Sequence, residues 1–276
     1  PPPPPGGAPP PPVPPPPRRP RDAPRPRRTV VRQALGVAGR TVVSTFGLLS
    51  PGKGLEHAVA AVAQVAPKFP DLHYYILGQT HPGIVRHSGE AYREGLARQA
   101  EEAGIADRIH FVNEYLSLDA LTDWLLATDI YVTPYLNPNQ IVSGTLSYAV
   151  AAGKAVLSTP YLHAQELLEN GRGVLTPFGD PNAMAANLEA MLSDSRRRAE
   201  MEQSAWEFGK TSAWPQVARR YWEVFCTAAQ CDSGSKKVNA PAIASVAAPK
   251  SSTLRRTPAP ATTAHTGRKL PNAPNA

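Results

Sequence analysis

The chain has 276 residues, 42% of them apolar, which is enough for one large core or two small ones, and it carries a formal net charge of +7. Taken whole, that charge would suggest nucleic acid or an acidic membrane surface as a partner, but its distribution excludes a general polyanion-binding field over the middle of the chain. Residues 1–28 hold 16 of the 32 prolines and six arginines against one aspartate, and residues 233–276 hold seven Lys or Arg and no acid, so residues 29–232 keep 16 basic and 21 acidic residues and are five negative.

Both ends are too poor in large apolar side chains to offset the entropy of ordering. Residues 1–28 are therefore expected to be a disordered Pro/Arg-rich head, 29–40 a linker, 41–228 the folded domain and 229–276 a disordered basic tail. Cys226 and Cys231 fit neither a redox CxxC pair nor a zinc site, so a reducing, cytoplasmic setting is expected. No apolar run reaches 18 residues, so no transmembrane segment is expected, and a first residue other than Met leaves room for an upstream piece.

In chain order, apolar runs over 41–49, 72–77, 109–112, 130–133, 155–158 and 173–175 read as short strands buried on both faces. Amphipathic runs over 55–66, 91–103, 118–127, 144–152 and 164–168 separate them and read as helices, the third opening behind Ser117 as a plausible N-cap. Repeated β-α-β units require right-handed crossovers, which predicts an α/β fold: a doubly wound, Rossmann-like parallel sheet covered by helices on both faces. After the last strand, 182–192, 195–209 and 213–228 read as helices alone, the last carrying Trp214, Tyr221, Trp222 and Phe225 as a stripe expected to pack into the core.

Ligands of such sheets bind beyond the carboxyl ends of the strands, so the loops that follow them hold the candidate site. The first, Phe46-Gly47-Leu48-Leu49-Ser50-Pro51-Gly52-Lys53-Gly54, offers glycines, a helix start and one ammonium; it lacks the Walker and GxGxxG spacings, and a phosphate site and a plain βα turn fit it equally. The second, Gly78-Gln79-Thr80-His81-Pro82-Gly83, is polar, with His81 either a sugar or phosphate contact or a plain surface histidine. The most informative stretch runs from Pro134 through Gln140 to Ser143-Gly144-Thr145 and Tyr148, where a helix start faces the loop and its free amides and two hydroxyls suit a diphosphate. Ala149, Ala151, Ala152 and Gly153 are expected to let this helix lie close to the sheet.

Lys53-Gly54 after the Gly47 turn, the stretch from Pro134 to Gly153, and Lys154 to Pro160 ahead of Glu166 and Gly171-Arg172-Gly173 resemble the C-terminal, donor-binding domain of group 1 (family 4) retaining glycosyltransferases with the GT-B fold. The resemblance covers residues 40–185 and implies a nucleotide diphosphate sugar as substrate and an N-terminal acceptor domain on a separate or missing segment; the domain carries no Asp-x-Asp motif, so no metal or other cofactor is expected. It implies catalytic roles for Lys53 and Gln140, and donor binding by Lys53, Gln140, Ser143, Gly144, Thr145 and Tyr148, to which the reading of the loops adds Gly47, Ser50, Gly78 and His81 as donor-binding candidates. Where the family has two glutamates seven residues apart, this chain has Gln140 and Tyr148, and where the family has Arg after the first-strand Gly it has Leu48, which marks a divergent subgroup. The expected function is retaining sugar transfer to an unidentified acceptor when paired with an acceptor domain. A non-catalytic nucleotide-sugar or carbohydrate-binding module and a GT-B-fold nucleotide-sugar epimerase are the alternatives.

Overall fold

The structure, a computed structural model, describes residues 25–232. The Pro-rich head up to residue 24 and the tail from residue 233 lie outside the described residues. Six parallel strands form one sheet: β1 (Thr41–Phe46), β2 (Leu72–Leu77), β3 (Ile109–Val112), β4 (Ile130–Thr133), β5 (Ala155–Ser158) and β6 (Gly173–Leu175). Their spatial order is β3-β2-β1-β4-β5-β6. The chain thus winds outward in one direction from β1, returns, and winds outward in the other from β4. Between those two strands the crossovers part to opposite faces and leave a crevice at the carboxyl rim.

Successive strand side chains divide between two apolar layers. Val43, Ile76, Val132 and Leu157 face one layer with α2 (Leu55–Val65), α4 (Ala91–Glu102) and α8 (Pro181–Ser193), contributing Val59, Leu96 and Leu188. Val42, Leu77, Tyr131 and Val156 face the other with α5 (Leu118–Ala127) and α6 (Gly144–Ala151), contributing Trp124 and Leu146. Helix starts follow local chemistry. Ser117 accepts a hydrogen bond from the Ala120 amide, and Asp180, ahead of Pro181, accepts from the amides of Asn182 and Ala183.

Five expectations need correction. Residues 25–34 form a helix, α1 (Arg25–Ala34), where the head and linker were expected; Arg28 and Arg32 both reach Asp129, at 2.6 and 3.2 Å. The first strand stops at Phe46 because Gly47 turns the chain at φ +119°, and Leu49 rejoins the sheet only through a single bridge to Thr80. The loop after β2 contains a helix, α3 (Pro82–Ser88), and after the short α7 (Leu162–Leu167) and α9 (Ser195–Thr211) the chain ends its described part in α10 (Trp214–Asp232). The aromatic stripe of α10 is exposed rather than packed: Trp214 at 84%, Tyr221 at 61% and Phe225 at 62%. Of the small residues of α6, Ala149 is buried, whereas Ala151 lies against Gly209 of α9, where an added β-carbon would stand 2.7 Å from the Ala151 Cα.

Candidate functional site

The crevice between β1 and β4 is bounded on one side by the loop from Gly47 to Gly54 and on the other by residues 134–143 leading into α6. Gly47 and Gly78, at φ +119° and +135°, end their strands in backbone conformations that side chains rarely adopt. A β-carbon on Gly78 would run into the Gly47 carbonyl, so both loops need a bare backbone to pass each other. A β-carbon on Gly47 would lie 3.2 Å from Thr145 Cγ2 and 3.5 Å from Lys53 Nζ, which places the first-strand loop, the ammonium and the start of α6 around one point.

Lys53 closes a single 3-10 turn, Pro51–Lys53, and Gly54 in the left-handed region at φ +61° starts α2 directly behind it. Its Nζ donates to the Tyr135 hydroxyl at 2.7 Å and lies 4.1 Å from the centre of that ring. The Tyr135 hydroxyl is in turn 2.7 Å from Thr145 Oγ1, which is 3.2 Å from Ser143 Oγ. Burial without a countercharge pulls the Lys53 ammonium down from its ordinary 10.5 to about 8. Among the described residues no carboxylate forms an ion pair with it.

Ser143 is the N-cap of α6, its hydroxyl accepting from the Leu146 amide. Its own amide donates to His163 Nδ1 at 2.9 Å, which leaves Gly144 and Thr145 as the first amides of the helix with no intrahelical carbonyl to bond. An imidazole accepting at Nδ1 is neutral and carries its proton on Nε2; desolvation lowers the His163 pKa and favours that form.

Beside this cluster lies a cavity of about 300 Å³, lined among others by Phe46, Leu48, Leu77, Leu116, Leu121 and Thr145. Gly47, Gly78, Gln79 and the loop 114–116 complete its walls. Tyr148, 49% exposed, stands on α6 with its ring edge-on to Phe46 at 6.4 Å.

The candidates therefore divide. Gly47, Lys53, Ser143 and Thr145 meet, Gly78 lines the adjoining cavity, Gly144 opens α6, and Tyr148 borders Phe46. His81 instead caps α3, its Nδ1 accepting from the Gly83 amide at 3.0 Å. The Gln140 side chain donates to the Val142 carbonyl at 3.0 Å, and Ser50 contributes its carbonyl to the Lys53 amide at 2.9 Å. Two cations of the motif are structural. Lys154, 6% exposed, donates to the Thr128 carbonyl, and Arg172 caps the end of α7 through the carbonyls of Glu166 and Leu167 while stacking on Phe208. The sequence reading missed Tyr135, His163 and the loop 114–116. The rule that sites follow strand ends could have flagged Tyr135, directly after Pro134, and that loop, directly after β3.

The family model described as Glycosyl transferases group 1 matches residues 40–194. This chain belongs to that family. It is 28% identical to a D-inositol 3-phosphate glycosyltransferase of Corynebacterium glutamicum over 68% of this chain and 44% of that protein. It is also 28% identical to a phosphatidyl-myo-inositol mannosyltransferase of Mycolicibacterium smegmatis, over 68% and 45%. The chain thus spans less than half the length of these curated relatives. Among solved structures, the C-terminal domain of a group 1 family glycosyl transferase from Francisella tularensis superposes with a TM-score of 0.59 at 20% identity, covering 69% of this chain and 93% of that one. An Anabaena HepE structure in complex with UDP and glucose does so with a TM-score of 0.62 at 24% identity, covering 74% and 53%. These likenesses show the fold, a Rossmann-like domain of GT-B type. Among the described residues no helix is long and apolar enough to cross a membrane, and no group of three or more His, Cys, Asp or Glu is placed to hold a metal ion.

Proposed function

We propose that this group 1 glycosyltransferase chain is the donor half of a retaining enzyme, binding a nucleotide diphosphate sugar for transfer to an acceptor held by an N-terminal domain. The observation that carries the reading is the meeting of Lys53, Tyr135, Thr145 and Ser143 across the β1/β4 crevice. A desolvated ammonium with no carboxylate partner among the described residues, opposite helix amides with no intrahelical acceptor, is the electrostatic complement of a diphosphate. The apolar cavity next to it, lined by Phe46 against which Tyr148 stands edge-on, is the size and character of a slot for a planar base.

Cleavage of the bond to the anomeric carbon builds positive charge on the sugar and negative charge on the departing phosphate. Lys53 and the Gly144 and Thr145 amides, already in place, stabilise that negative charge more in the transition state than in the bound donor. The Gln140 side chain is bonded to the Val142 carbonyl, which favours as a second reading a module that holds the donor without transferring its sugar. Backbone amide shifts recorded while UDP and GDP are titrated in test the assignment. The donor reading expects them at Gly47, Gly78, residues 113–116, Gly144 and Thr145; perturbation confined to the opposite rim of the sheet contradicts it. Release of sugar from the nucleotide in the presence of the acceptor half then separates transfer from binding alone.

A further inference from the structure

We propose that Tyr135 is the positioning residue of the phosphate end of this site: its hydroxyl and ring hold the Lys53 ammonium in register with the first turn of α6 and orient the Thr145 hydroxyl as a donor. The proposal rests on the diphosphate reading above for its ligand, but not for its internal chemistry.

The direction of every bond in the chain follows from the inventory of donors. Lysine has donors and no acceptor, so in the 2.7 Å contact the Tyr135 oxygen must accept. The phenol proton is then donated onward to Thr145 Oγ1, 2.7 Å away. With an acceptor site filled, the Thr145 hydroxyl has its own proton to give, either to Ser143 Oγ at 3.2 Å or to an anion in the crevice. Ser143 Oγ already accepts from the Leu146 amide, so an anion with free lone pairs is the better acceptor. The ammonium polarises the whole row, and successive bonds oriented the same way strengthen one another.

Tyr135 is built to stay where it is. It is 2% exposed, its ring stacks on Tyr161 with centres 5.4 Å apart and planes 17° apart, and its carbonyl accepts from the Thr159 hydroxyl at 2.5 Å. The groups facing Lys53 are this phenol from the loop after β4 and, across Gly47, Thr145 from α6. The carboxylate nearest along the chain, Glu56 on α2, is engaged by the Tyr92 hydroxyl at 2.7 Å. The phenol oxygen is therefore the acceptor that favours the charged form of Lys53 against the burial that lowers its pKa to about 8.

Tyr135→Phe keeps the ring and its stacking and removes only the oxygen. Two measurements read it: the NMR titration of Lys53 in the ligand-free protein, and the affinity for UDP and GDP between pH 6.5 and 9.5. The expected result is a Lys53 midpoint below that of the wild type, nucleotide binding about tenfold weaker near neutrality, and an alkaline loss of binding that moves to lower pH with the midpoint. Tyr161→Phe removes a neighbouring buried hydroxyl, which contacts Thr133 at 3.3 Å, and is expected to leave the Lys53 midpoint in place. An unchanged midpoint and affinity in Tyr135→Phe overturns the proposal. So does tighter binding, which would make Tyr135 a competitor that sequesters the ammonium, and so does an equal effect of Tyr161→Phe, which would mean general loosening. Wild-type protein that binds neither nucleotide defeats the diphosphate reading, and the ligand-free titration still decides whether Tyr135 holds Lys53.

Discussion

Half-buried cations stand at both rims of the same parallel sheet, and their surroundings are opposite. At the amino rim Arg32 is saturated: Asp129 and the carbonyls of Val37, Arg40 and Ala127 all accept from it, and Arg28 and the Val42 amide complete the shell of the same aspartate. These partners hold the Asp129 carboxylate below its usual range despite burial. At the carboxyl rim Lys53 has a phenol and a ring face and, among the described residues, no carboxylate. A cation whose acceptors are all supplied by the protein fastens elements together; one half-buried without a countercharge among the described residues has a place for an anionic ligand.

The comparison predicts opposite signs for like substitutions. Arg32→Met is expected to lose about 2 kcal/mol of stability in urea unfolding, because it leaves the carbonyls of Val37, Arg40 and Ala127 without their donor and Asp129 with only Arg28 and the Val42 amide. Lys53→Met is expected to gain roughly 1 kcal/mol at pH 7 in the ligand-free protein while weakening nucleotide affinity. A lysine lowered from 10.5 to about 8 binds fewer protons in the folded state, so its penalty is complete below about pH 8 and disappears as pH rises to 10.5. The stabilisation by Lys53→Met should shrink over that window. A loss in Lys53→Met as large as that in Arg32→Met breaks the comparison.

The acid side sharpens it. His163 at the carboxyl rim and the pair His73 and His110 towards the amino rim, 2.9 Å apart, all have lowered pKa values, His110 about 4, with desolvation the main cause. A histidine that stays neutral in the fold but protonates when unfolded destabilises the folded state as pH falls through 6.5 towards the folded value. Stability should therefore decline between about pH 6.5 and 4. His110→Phe, which keeps an aromatic ring against Tyr75, should flatten the decline; a slope identical to wild type would show that the pair carries none of it. The smallest effect is expected from His81→Ala. It removes the α3 cap at about 0.5–1 kcal/mol in thermal unfolding and leaves nucleotide affinity unchanged, whereas a loss of affinity would return His81 to the site.

The interior elements were legible because their signals are local: fully buried strands such as Tyr131–Val132 and stripes such as Val59 and Val62 fix period and length within a few residues. Helix α1 was not. Its sequence is rich in Arg and begins beside the proline run, and its anchor is Asp129, about a hundred residues away. Helix α3 buries none of its residues, so no apolar period announces it. The exposed stripe of α10 shows the converse: helical spacing of aromatics reveals that a face exists, not what covers it. Within the site, Lys53 and the start of α6 were readable as phosphate chemistry at strand ends. Their meeting through Tyr135 depends on β1 and β4 being neighbours, which only the winding order supplies.

The most direct test is calorimetric titration of UDP and GDP into the wild-type chain and Lys53→Met. Binding of at least one nucleotide, weakened about tenfold or more in the variant, is the predicted result. Binding of equal strength in both proteins would contradict the placement of the diphosphate between Lys53 and α6, and so would no binding in either.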